Sequence, residues 1–142
     1  MRDIEFLSAL ICDDVRQEVS GRAIIVGVAP VGPELNSTGE TTVSRISFYL
    51  EAAFSGLGVV RFRLKSREND SVPIEVEIDL ANNSDIDEEA DSENMAVVGT
   101  IVFGKEGGVF DGPGLYCLQY KIAETDWKEV RDFYFPPRAN ES

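Results

Sequence analysis

Histidine is absent from this 142-residue chain. That excludes Ser-His-Asp and Cys-His catalysis, histidine metal ligands and a histidine pH switch. Cysteine is scarce: only Cys12 and Cys117 occur, with neither a C-x-x-C pair nor a zinc spacing. Each lies in an apolar run, which predicts buried free thiols, with a single disulfide as the alternative. Positive charge is also short. Thirteen Lys and Arg face 26 Asp and Glu, a formal net charge of −13. That field repels phosphate backbones, so nucleic acid is not an expected partner, while a cation or a basic surface is compatible. No segment approaches the roughly 18 apolar residues of a membrane helix. Residues 1–6 carry two acids and lead to no small-residue cleavage site, unlike a signal peptide. The expectation is a cytoplasmic protein with no membrane partner.

What is present is a hydrophobic fraction of 43% and a dominant period of two. In residues 45–54, Ile46, Phe48, Leu50, Ala52 and Phe54 alternate with more polar positions. Residues 57–65, 74–80 and 115–122 alternate in the same way, and 5–12, 22–29, 95–103 and 127–135 read as further strands. Such alternation is what strands with one buried face require. The prediction is all-β: an immunoglobulin-like, Greek-key β-sandwich of about seven to eight antiparallel strands. It forms one domain over 1–137, with 138–142 as a disordered tail. The run 95–103 is apolar on both faces and reads as a central strand. Residues 30–42 read as a long polar turn region, and the glycine-rich 104–114 as a flexible loop.

Charge suggests one strand register. Arg61, Arg63 and Lys65 alternate with apolar residues, as do Glu75, Glu77 and Asp79. An antiparallel pairing of Lys65 with Glu75, Arg63 with Glu77 and Arg61 with Asp79 sets every base against an acid. Such cross-strand pairs are worth about 0.2–1 kcal/mol each. This explains the basic row as a charge ladder rather than a nucleic-acid stripe.

Two acidic groups are candidate sites. Residues 85–93 hold Asp85, Asp87, Glu88, Glu89, Asp91 and Glu93 without a basic residue. Carboxylates at Asp85, Asp87, Glu89 and Asp91 could ligate calcium, although the segment lacks the glycine and spacing of an EF-hand. A solvated loop is the plainer reading, and no other cofactor is expected. Asp13, Asp14, Arg16 and Glu18 follow an apolar run directly. Two carboxylates close together can divide acid and base roles, as a hydrolase would need. The neighbouring Arg16 offers them an ion-pair partner instead, which favours a structural tie at a strand end.

Two resemblances follow from these residues. Asp111-Gly-Pro-Gly-Leu-Tyr116-Cys117 is similar to the immunoglobulin corner, in which a Tyr hydroxyl bonds back to the corner backbone. Here Cys117 follows Tyr116 directly and Trp127 lies after both cysteines, which departs from the inter-sheet disulfide pattern. Ile11-Cys12-Asp13-Asp14-Val15-Arg16-x-Glu18, with Gly21, Gly27, Phe110, Gly114 and Tyr116, resembles a family of small bacterial proteins with an ICDDVR-x-E opening. That resemblance implies a bacterial β-sandwich without assigned catalytic residues. The leading functional expectation is non-enzymatic: binding to a protein partner or self-association. A calcium-binding module and a carboxylate hydrolase using Asp13, Asp14 or Glu18 are the alternatives.

Overall fold

A computed structural model describes residues 3–20, 23–29, 31–55, 58–80 and 97–139. These residues form nine antiparallel strands: β1 Glu5–Cys12, β2 Asp14–Gln17, β3 Ala23–Val26, β4 Glu40–Phe54, β5 Val59–Ser66, β6 Ile74–Asp79, β7 Val97–Asp111, β8 Gly114–Ile122 and β9 Lys128–Phe135. One sheet has the order β1-β4-β7 and another β6-β5-β8-β9, while β2 and β3 pair only with each other. The fold is an all-β sandwich, without a helix among the described residues. With the β2–β3 ribbon set aside, the strand order corresponds to the A-B-E and C′-C-F-G sheets of immunoglobulin-type sandwiches.

The period-two residues build the core between the two larger sheets. Phe62 on β5 stacks on Phe103 of β7 with centroids 4.9 Å apart, and Phe48 of β4 meets the edge of Phe133 of β9 at 5.8 Å. Phe62, Phe48 and Leu118 are fully buried. Burying each side chain of this size contributes about 1.5–3 kcal/mol. Phe62 lies on the C-equivalent strand, where immunoglobulin domains carry their core Trp. Leu118, two residues beyond Tyr116, stands where those domains place their second disulfide cysteine.

Four expectations need correction. Residues 104–111 are strand, not a flexible loop, because the long β4 supplies ladder partners from Glu40↔Asp111 to Phe54↔Val97. Residues 30–42 are not all loop. Residues 40–42 belong to β4, where Thr41 is buried, and Leu35 is wholly buried and pairs in parallel with Pro137. The described part of the run 95–103, residues 97–103, lies on an edge strand rather than a central one, because β4 takes the middle of its sheet.

The fourth correction concerns β5 and β6. They are antiparallel neighbours, but the register is Arg63↔Glu75 and Arg61↔Glu77, two residues from the charge-based pairing. A two-residue slip keeps acids opposite bases and apolar residues opposite apolar ones, so alternation alone cannot choose between the registers. The turn chooses. Ser66 N–H donates to Ser71 O at 2.8 Å, Asn69 Oδ1 accepts from Ser71 N–H at 3.0 Å, and Asp70 takes a left-handed φ of 61°. Arg61 bonds diagonally to Glu75 at 3.1 Å, while Lys65 turns to Asp70 at 3.6 Å. Arg63 leaves the ladder, donating to Gln119 at 2.7 Å and lying over the Trp127 ring at 4.1 Å.

Candidate interaction surface

The sequence explains why the chain leaves the sandwich after β1. Cys12 is the last buried residue of the strand, and Asp13 bends the chain outward. Asp13 N–H donates to Val26 O at 2.9 Å, and Ser47 Oγ donates to Asp13 O at 3.3 Å. The Asp13 side chain lies against Gly27, whose φ of +72° and missing Cβ both suit the close approach. Asp14 accepts from its neighbour Val15 N–H at 2.9 Å, from Arg16 at 3.4 Å and from Arg45 of β4 at 2.8 Å. The two aspartates and Arg16 therefore form the root of the β2–β3 ribbon. Glu18 is apart from them, near the ribbon's tip, accepting from Ser20 Oγ at 3.4 Å. Tyr116 is in the β7–β8 corner, donating to Gly112 O at 2.7 Å.

Arg45 and Gly27 complete the root; Gly27 belongs to the motif residues, whereas Arg45 does not. Arg45 is 31 positions from Asp14 and carries no local signal. Gly27 is marked by the motif, but nothing local shows that the Asp13 side chain packs against it.

Chemistry at the root is limited. A cleft lined by Asp13, Gly27, Gly32 and Arg45 holds about 180 Å³. Ligand pockets usually offer about 300–1,000 Å³. Burial, and then the negative charge of Asp13 and Asp14, push the Cys12 thiol up, so it is not a thiolate nucleophile. Cys117 lies beneath Arg67, Glu129 and Asp132, and burial pushes its thiol up to about 12. Arg67 grips Glu129 at 2.7 Å and Asp132 at 2.9 Å, and its hydrogen bond lowers the Glu129 carboxyl. The polar face of the four-stranded sheet is thus bonded largely within itself.

Among the described residues no three acidic or thiol groups converge to hold a metal ion. Asp85, Asp87, Glu89 and Asp91 lie outside the described residues. Among the described residues, too, no helix is long and apolar enough to cross a membrane.

The ribbon differs from the rest of the surface. Among the described residues twelve large apolar side chains are exposed, and Val19, Ile24, Val26, Val28 and Val31 are five of them. All five belong to the ribbon or the segment leaving it. Comparison with protein families, with curated proteins and with solved structures finds no match. The likeness to the ICDDVR-x-E family therefore rests on the motif residues themselves.

Proposed function

We propose that this protein is a non-enzymatic binding module whose binding element is the β2–β3 ribbon. One observation carries the reading: a ribbon that pairs only with itself presents Ile24 and Val26 to solvent, with exposed Val28 just beyond its end. A two-stranded ribbon is marginally stable alone, and exposed apolar clusters on a charged surface mark interaction sites. The motif aspartates support this as tethers: Asp14 ties the ribbon to β4 through Arg45, and the Asp13 backbone bonds to Val26 and to Ser47. Two thiols left free suit a reducing cytoplasm, and the motif suits a bacterial source.

The test compares the wild-type protein with an Ile24→Lys/Val26→Lys variant, immobilised and exposed to extract of the source cells. The variant keeps its melting temperature, because both side chains are exposed, and loses the proteins that wild type retains. Identical retention by the two would refute the ribbon as the binding element.

A further inference from the structure

We infer that the free edge of β3 pairs with β3 of a second copy of this chain, giving a four-stranded antiparallel ribbon β2-β3-β3-β2. The inference rests on the binding role proposed for the ribbon and names its partner.

Edge strands are ordinarily blunted by charge, proline or bulges. Among the described residues the other edges follow this rule. The edge strand β1 carries Glu5 and an irregularity between Phe6 and Ser8. Three acids lie on β6, while β7 carries Lys105 and Glu106 and β9 carries Lys128 and Glu129. In contrast β3 reads Ala-Ile-Ile-Val, with no charge, no proline and no register shift. In a chain of net charge −13, two copies repel each other. An uncharged edge is where they approach at least electrostatic cost.

The edge is also complementary to itself. A two-fold axis through Ile25 sets Ile25 opposite Ile25 and Ile24 opposite Val26. Within each ribbon Val15 faces Ile25, Arg16 faces Ile24 and Asp14 faces Val26. One face of the joined ribbon therefore reads Val15-Ile25-Ile25-Val15. The rows on the other face read Arg16-Ile24-Val26-Asp14, with opposite charges at their two ends. The outer strand β2 carries Asp14 and Arg16, which blunt its own free edge and close the assembly at two copies. A ladder of four residues is small for an interface, so association is weak and concentration-dependent. Salt strengthens it by screening the repulsion between copies.

Sedimentation velocity tests the pairing, with protein from about 10 μM to about 1 mM at low and high salt. The mass of the wild type rises from 15.6 kDa towards twice that value, more steeply at high salt, and Ile24→Lys/Val26→Lys stays monomeric. Directly opposed residues hold their Cβ atoms about 4.5–5.5 Å apart, near the disulfide span. Ile25→Cys therefore yields an oxidised dimer, whereas Ile24→Cys, which faces the other side and is offset from its own copy, does not. A wild type that stays monomeric throughout overturns the inference, as does a dimer that survives the lysine substitutions or an Ile24→Cys cross-link equal to that of Ile25→Cys. If wild type stays monomeric yet the lysine variant still loses its retained proteins, the binding role stands and only the second copy is refuted. If neither measurement separates the variant from wild type, both fall.

Discussion

The hydroxyl of Tyr116 donates to the carbonyl of Gly112 across 2.7 Å, closing the corner through which the chain crosses from β7 to β8. The Tyr116 ring is fully buried and meets Phe110 at 5.3 Å and Phe135 at 5.0 Å. The corner therefore joins a core contact to a backbone constraint.

Tyr116→Phe keeps the ring packing and removes only the hydroxyl, leaving the Gly112 carbonyl without that donor. The expected loss is about 1–1.5 kcal/mol. Urea unfolding measures it as a lower midpoint at unchanged slope. A midpoint equal to wild type would show that the hydrogen bond contributes nothing to stability.

Gly32 sits on the ring of Phe135: a Cβ at this position would fall 2.6 Å from two ring carbons. Its N–H also donates to Tyr134 O at 2.7 Å, holding the return from the ribbon against β9. Gly32→Ala must displace a wholly buried aromatic ring, and overpacking of this kind costs about 1–3 kcal/mol. At Gly39 a Cβ meets nothing within 4 Å, so Gly39→Ala is the control for added bulk, although its φ of +86° brings some strain of its own. Thermal unfolding should place Gly32→Ala below Gly39→Ala.

Cys12 and Cys117 are buried, and both thiols are pushed up, chiefly by burial. Native protein at pH 8 should therefore resist a thiol reagent that labels both cysteines after denaturation. A group whose pKa is raised by folding stabilises fully below its unfolded value, about 8.5 for Cys. That contribution is lost as pH rises through the folded value, which for Cys117 is about 12. Stability should fall between these limits, and Cys117→Ala should fall less steeply over the same range. Equal alkaline slopes would count against the shift.

Asp3 accepts from Lys128 at 2.8 Å and from Tyr120 Oη at 2.6 Å, and these bonds, Lys128 first, hold its carboxyl below the ordinary value. A lowered carboxyl stabilises above the unfolded value, about 3.9, and loses that effect as pH falls through the folded value. Asp3 and Lys128 are each half exposed, so water screens the pair and about 0.5–1 kcal/mol is expected at neutral pH. Asp3→Asn should be less stable than wild type at pH 7, with the gap closing below pH ~4. Denaturant midpoints across that range measure the convergence, and a gap independent of pH would assign the effect to packing.

Much of the sandwich was legible because burial of one sheet face forces period two on the sequence. Phe62, Leu64, Phe48 and Leu50 were read correctly as inward residues for that reason. The corner at Tyr116 was legible because glycine, proline and a following Tyr form a local pattern. Leu35 was missed: its neighbours are turn residues, and only the end of β9 makes it a core side chain. Arg138 was assigned to the tail, yet its N–H donates to Leu35 O at 3.0 Å and its side chain to Asn36 at 2.8 Å. Neither contact is legible locally, because its two sides lie more than a hundred residues apart in the chain. The ribbon root was half legible: Asp14 and Arg16 are neighbours, but Arg45 reaches them only through β4.

The sequence by itself determined the fold class, the inward face of the regular strands and the absence of histidine chemistry. These follow from composition and from alternation along one strand. Tertiary structure alone decided the β5–β6 register, the edge position of β7, the extension of β4 and β7 through polar and glycine-rich segments, and the separation of β2 and β3 from both larger sheets. Each depends on which backbone lies alongside which. Hydrogen bonds between distant segments settle that, and a period-two pattern is the same in every register that differs by two.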